Sequence, residues 1–224
     1  MVNIAIIPAK SWQTECQRAT PETYRRRHAH GAVTTFVESQ YTVSYGARIK
    51  SDYQNFVAVF NARDEILAAV GWRPATGPLF LESYLSEPVD EVVSRKLQPV
   101  RRQQIVEIGN FAAQNGRAAY LALHSLMYAL PARGYSHAVI TATKQLRRTL
   151  HDIPMIHLAD ASVPAKSSDV SWGCYYDNAP QVIVAQFASY RDQYKRFLLK
   201  ASRLSAWSVS CDPAQSSAIP EGQA

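Results

Sequence analysis

Apolar and polar positions along this chain recur with two different periods, and each change of period marks an element. Val2–Ile7 (VNIAII) is a short apolar run that stops at Pro8 and predicts a first strand rather than a leader. After a basic stretch at 25–27, Val33, Phe36, Val37 and Tyr41 follow the i, i+3, i+4, i+8 spacing of a helix with one buried face. Asn55–Phe60 (NFVAVF) and residues 65–72 (EILAAVGW) are β-rich runs joined by the polar turn NARD, which predicts a hairpin. Residues 79–85 (LFLESYL) predict another strand or strand end. Pro88 then suits the first turn of a short helix through Leu97, where no N–H is needed from it.

The second half changes character. Residues 103–112 (QQIVEIGNFA) predict a strand, and residues 117–130 (RAAYLALHSLMYAL) a helix that is apolar nearly all round and so well buried. Gly134 marks a helix stop, and residues 135–143 (YSHAVITAT) are a β-branched strand. Strand, short loop, buried helix and strand make a βαβ unit, which implies two parallel strands and a right-handed crossover. A short basic helix over 144–150, a late strand over 180–187 (PQVIVAQF) and a basic amphipathic helix over 190–204 complete the pattern. A single domain over 1–204 is expected. The tail over 205–224, rich in Ser, Pro, Ala and Gln, has little to bury and is expected to be disordered.

Composition narrows this only a little. Hydrophobic residues at 47% and charged residues at 19% are ordinary for a globular α/β chain. A net charge of +6 suits anionic partners: phosphorylated cofactors, acidic carrier proteins, acidic lipid or nucleic acid. The basic residues are spread without an aromatic-basic module, so nucleic acid is not the expected partner. Cys16, Cys174 and Cys211 are too scattered for a disulfide framework or a zinc site. The histidines show no metal-ligand spacing, and neither a metal nor a tightly bound cofactor is expected. No apolar run approaches the roughly 18 residues of a membrane span, so membrane insertion is not expected and the cytoplasm is the default location.

Residues 106–119 (VEIGNFAAQNGRAA) carry the most chemical information. A strand runs into a glycine-containing turn, and a helix opens at once. The free N–H groups and dipole of a helix N-terminus can hold a pyrophosphate, with Arg117 in the first turn and Gly116 permitting close approach. The alternative is a glycine that only serves a tight turn.

Together, GWRP at 71–74, LFLESYL at 79–85, VEIGNFA at 106–112, TAT at 141–143 and WGCYY at 172–176 resemble the thermostable hemolysin family over about residues 27–187. That family is similar to the GNAT acyltransferases and the acyl-homoserine-lactone synthases, autoinducer synthases of bacterial secondary metabolism. The resemblance implies an α/β fold with a mixed, mostly antiparallel twisted sheet, one central parallel strand pair and flanking helices. It implies transfer of an acyl group from an acyl-carrier-protein or acyl-CoA thioester to a small-molecule amine. Ile108, Gly109, Phe111 and Ala112 would then meet the pantetheine, and Gln114, Gly116, Arg117 and Ala118 would form the pyrophosphate turn. Ala113 stands where the GNAT pattern has Gln or Arg, and Gln114 comes one residue late, which favours a carrier-protein donor. The family name raises an alternative, a membrane-active cytolysin without enzymatic activity, for which the helix over 190–204 would be the lipid-facing element.

N-acyl transfer needs a base for the amine, polarisation of the thioester carbonyl and an acid for the leaving thiolate. Glu107 lies on the face of its strand opposite Val106 and Ile108 and is the candidate base; the alternative is an ion-pair partner for an arginine. Glu82 and Tyr84 would share one face of the preceding strand and line the same cleft. Asn110, after Gly109, could orient a carbonyl where the strand bulges. Arg73 could bind a carboxylate or phosphate, or hold a structural ion pair. Trp172, Tyr175 and Tyr176 either pack in the core or line a substrate site. The GNAT acid, a tyrosine in the helix after the last parallel strand, has no match over 144–153, so Tyr175, Tyr176 or water would take its place.

Overall fold

The computed structural model describes residues 2–7, 21–151, 153–163, 171–189 and 207–210, of which 2–3, 6–7, 21–29 and 207–210 are described by backbone alone. The described strands are β1 (Val2–Ile7), β2 (Asn55–Phe60), β3 (Ile66–Pro74), β4 (Ile105–Ala113), β5 (His137–Ala142), β6 (Ile156–Asp160), β7 (Gln181–Gln186) and β8 (Trp207–Ser210). They form one sheet in the order β6-β7-β5-β4-β3-β2-β1-β8. The helices are α1 (Pro21–Tyr45), α2 (Val89–Lys96), α3 (Gly116–Ala129) and α4 (Lys144–Thr149).

Most neighbours in the sheet run antiparallel, and β4 and β5 form the parallel pair at its centre, bridged by α3 as the βαβ pattern predicts. The β2–β3 hairpin turns on Asn61, whose Oδ1 accepts the N–H groups of Arg63 and Glu65. Residues 207–210, expected in an irregular tail, instead pair with β1 as a second parallel pair at the sheet margin. There they meet the N–H and C=O groups that an edge strand otherwise leaves open. The strand β6 lies outside the expected elements; three of its five side chains are exposed at the other margin and two are half-buried.

One sheet face is covered by α3. Val57, Val59, Val70, Trp72, Val106, Ile108, Ala138 and Ile140 pack there against Ala118, Leu121, Ala122 and Leu126. The other face is shared. α1 buries Val33, Val37 and Tyr41 against Phe56, Ala58, Ala69 and Ala112, as its spacing predicts. Farther along, Leu81, Val89 and Val93 pack on Ile105, Val139, Val182 and Val184. Between these two patches the sheet faces an open cleft.

One expected strand is corrected. Phe80–Tyr84 form a short 3-10 turn, not a strand. The carboxylate of Glu82 accepts the N–H groups of Leu79 and Val89, so the chain is curled around it and cannot extend. The period-2 argument that put Glu82 and Tyr84 on one face therefore fails. The helix expected over 190–204, and Cys16 and Cys211, lie outside the described residues. Among the described residues, no helix is long and apolar enough to cross a membrane.

Candidate active site

The open patch is floored by β4, and the register of β4 creates it. Residues 105–108 of β4 pair with 137–140 of β5, and there the pairing stops, although β4 runs on to Ala113 and β5 to Ala142. On the other side, Gly71 faces Gly109 while Ala69 faces Ala112, so β4 carries one extra residue. That residue is Asn110, held at a φ of +46°. Such a bulge bends its strand, and β4 swings away from β5. The bulge also resets the alternation: Gly109 and Ala112 end on the α1 side, Phe111 and Ala113 on the α3 side.

A cleft of about 630 Å³ occupies this splay. It is bounded by α1 (Tyr41, Tyr45), residues 49–53, Arg73, Phe80, β4 from Glu107 to Ala113, and the turn 114–116. Ile140, Thr141, Thr143, one face of α4, Trp172 and Tyr175 complete it.

Of the predicted pantetheine residues, Ile108, Gly109, Phe111 and Ala112 all line the cleft, with Asn110 among them. Gln114 and Gly116 line it too, but the Gln114 side chain turns back to donate to the Ile66 carbonyl. Asn115 caps α3 by accepting the Ala118 N–H at 2.9 Å. Ala118 is thus buried and satisfied, whereas Gly116 and Arg117 open the helix without intrahelical partners for their N–H groups. Arg117 is exposed and is not among the residues that line the cleft. A Cβ at Gly116 would touch nothing within 4 Å, so the fold alone does not demand glycine there.

Glu107 is 2% exposed, and both its oxygens are taken. Arg73 Nε donates to Oε2 at 2.5 Å, and the Leu81 N–H donates to Oε1 at 3.0 Å. Arg73 also reaches Asp52 at 2.8 Å and lies over the Tyr53 ring at 4.3 Å. Tyr53 lies flat against the cross-strand glycine pair Gly71 and Gly109: a Cβ at Gly71 would stand 2.8 Å from its Cγ, and one at Gly109 only 2.7 Å from its Cζ. Burial, with the Glu107 charge beside it, holds the Tyr53 phenol protonated well above the ordinary tyrosine range. Of the two roles open to Arg73, the geometry fills the ion-pair one.

Glu82 is not on the cleft wall. Arg102 grips both its oxygens at 2.6 and 2.9 Å, and this ion pair, above all, brings its pKa down to about 2. Arg102 also reaches Asp90, so the group pins the 3-10 turn to α2. Tyr84 shares a 2.7 Å hydrogen bond with Tyr176, and burial raises both phenols. Both tyrosines stand behind the cleft wall. Trp172 and Tyr175 line it, Tyr175 being buried with its ring stacked on Tyr41 at 6.1 Å.

Sequence reasoning missed Asp52, Tyr53, Tyr45 and Thr143. Tyr45 ends α1, half-buried in the cleft; burial raises its phenol, and the hydrogen bond with the Thr143 side chain partly offsets that. Thr143 caps α4 by accepting the Leu146 N–H. The segment 171–178 is laid against the end of α1: the Cys174 N–H donates to the Tyr45 carbonyl at 2.9 Å, and Gly173 sits at φ +51° where a Cβ would strike that same carbonyl. Tyr45 was visible only as a residue i+4 from Tyr41. Tyr53 had no periodic signal, and its partners Gly71 and Gly109 meet only once the register is known.

A family model described as thermostable hemolysin matches residues 23–190. Among solved structures, the chain is similar to BjaI, a CoA-dependent acyl-homoserine lactone synthase solved with SAM and isopentyl-CoA. The TM-score is 0.56 at 14% identity, covering 95% of each chain. It is similar to MesI, another CoA-dependent acyl-homoserine lactone synthase, at TM-score 0.55 and 13% identity, covering 93% of this chain and 100% of that one. FeeM, an N-acyl amino acid synthase from uncultured soil microbes, aligns at TM-score 0.53 and 12% identity, covering 74% and 95%. At these identities the likeness is one of fold: the GNAT-like mixed sheet that the resemblance implied. No curated protein matches the sequence.

Proposed function

The chain belongs to the thermostable hemolysin family, and on that premise we propose that it is a GNAT-like N-acyltransferase that moves an acyl group from a thioester to an amine. The observation that carries this reading is the splay at Asn110. It leaves the β5-facing backbone of residues 109–113 unpaired along a cleft that ends at the start of α3. An extended pantetheine arm carries amide donors and acceptors and can add to that edge as a strand would. Its phosphate end then meets the open N–H groups of Gly116 and Arg117. The solved neighbours include CoA-dependent acyl-homoserine lactone synthases and an N-acyl amino acid synthase, which supports the same class of reaction.

Both acyl-CoA and acyl-carrier protein present this arm. Because Asn115 already occupies the Ala118 N–H, and Gln114 is turned to β3, the turn offers few contacts to a diphosphate. We favour the carrier-protein donor, whose arm ends in a single phosphodiester and whose acidic surface suits a chain of net charge +6.

In this reading Glu107 is a positioning residue. With both oxygens engaged it fixes Arg73 and the 3-10 turn at the cleft, and Asp52 is the carboxylate with an oxygen to spare near the amine. Asn110, on the bulge, orients the thioester carbonyl. Tyr45 is the candidate donor to the leaving thiolate: its phenol is protonated at neutral pH, lies in the cleft and is oriented by Thr143.

The test is free-thiol release by the purified chain from acyl-carrier-protein and acyl-CoA thioesters of several chain lengths, against an amine panel. Turnover above a Tyr45→Phe, Asn110→Ala control supports the reading. No amine-dependent thiol release with any donor refutes it.

A further inference from the structure

Four charged side chains line the cleft: Lys50, Asp52, Arg73 and Glu107. Arg73 and Glu107 neutralise one another at 2.5 Å, and Asp52 Oδ2 accepts from Arg73 at 2.8 Å. Two charged groups stay open to solvent. One is the remaining oxygen of Asp52, whose side chain is 66% exposed. The other is the ammonium of Lys50, which is exposed and forms no ion pair with another described residue. The two residues lie two positions apart in the segment between α1 and β2. Ser51, between them, accepts Asn110 Nδ2 at 2.5 Å, which ties this segment to the bulge where β4 leaves β5.

From this we infer that the acceptor is an α-amino acid head group, its amino group on Asp52 and its carboxylate on Lys50. A simple amine meets the carboxylate but leaves the lysine unanswered. An ester or amide of the amino acid loses the same contact. A free amino acid matches both signs, and Asp52 is adjacent in the chain to Ser51, which is bonded to Asn110 on the bulge.

The fate of the amine rests on the acyltransferase reading; the binding does not. In the transfer, the bound ammonium loses one proton to Asp52 or solvent, the amine nitrogen bonds to the thioester carbon, and the nitrogen then gives up a second proton to become the amide. The carbon–sulfur bond breaks with its electron pair on sulfur, which takes up a proton. The products are an N-acyl amino acid and a free thiol.

The experiment compares each of the twenty protein amino acids with its methyl ester and its decarboxylated amine, by thiol release and by isothermal titration. At least one free amino acid should exceed its ester and its decarboxylated amine by about tenfold or more in kcat/KM, the size of a charge-assisted contact. Lys50→Met, at an exposed position, should bring that ratio within about twofold by lowering the free acid alone. Asp52→Asn should raise KM for acid and ester together. Equal use of acid and ester by the wild type, or a ratio unchanged in Lys50→Met, overturns the inference. If no amine releases thiol, the acyltransferase reading falls, and titration decides the inference alone. Heat of binding for a free amino acid that is lost in its ester and in Lys50→Met then sustains it, and no such heat overturns it.

Discussion

Gly109→Ala places a methyl group against the Tyr53 ring, with 2.7 Å from the new Cβ to Cζ before relaxation. Ordinary carbon–carbon contact lies near 3.5–4.0 Å, so the ring, the strand or both must give by about an ångström. Tyr53 has little room to do so: it is 6% exposed, with the Arg73 guanidinium over its face and the sheet beneath. Overpacking of this kind costs about 1–3 kcal/mol. For a domain of this size that is a fall in Tm of roughly 2–4 °C per kcal/mol. In a Tyr53→Ala background the same methyl enters space already cleared. There the substitution should be neutral, or stabilising by about 0.4–1 kcal/mol through the reduced freedom of the unfolded chain. Urea unfolding of the two single variants and the double variant, followed by tryptophan fluorescence, gives the coupling. A coupling below about 0.5 kcal/mol, within ordinary additivity, refutes the argument that Gly109 is glycine because Tyr53 lies on it.

Glu107→Gln removes the charge that faces Arg73 in a buried pair and should cost about 3–5 kcal/mol of stability; a variant of unchanged stability would show that the carboxylate is not a structural anchor. Glu82 has a folded pKa of about 2 against an ordinary 4.5, so its contribution is full above about pH 4.5 and is lost as pH falls toward 2. Unfolding free energy measured across that window should fall less steeply in Glu82→Gln, and an identical slope would refute the assignment. Tyr45→Phe should lower kcat by about 100-fold with an alkyl thioester and by far less with an aryl thioester, whose thiolate needs no proton; equal losses exclude the acid role. Gly116→Ala should leave the fold intact, since the added Cβ meets nothing within 4 Å, yet raise KM for the phosphate-bearing donor; an unchanged KM would place the arm elsewhere.

The chain's own pattern determines the elements with strong periodicity. The β2–β3 hairpin, the buried face of α1 and the β4–α3–β5 unit are written in apolar spacing, in Asn61 and in Gly134, because local backbone geometry and amphipathicity act over a few residues. The side of β4 on which Glu107 lies is also legible, since a strand alternates. Beyond Asn110 that rule fails. A bulge is a mismatch of lengths between two strands, and neither β3 nor β4 contains it alone. The curl of 80–84 is likewise hidden, because it depends on a carboxylate collecting N–H groups from Leu79 and Val89 and an arginine from residue 102. Register also decides the meeting of Gly71 with Gly109 and the seat that they make for Tyr53. Only the tertiary structure brings Lys50, Asp52, Tyr45 and Thr143 to one cleft. They come from a loop, a helix end and a strand end, whose spacing in the chain carries no period.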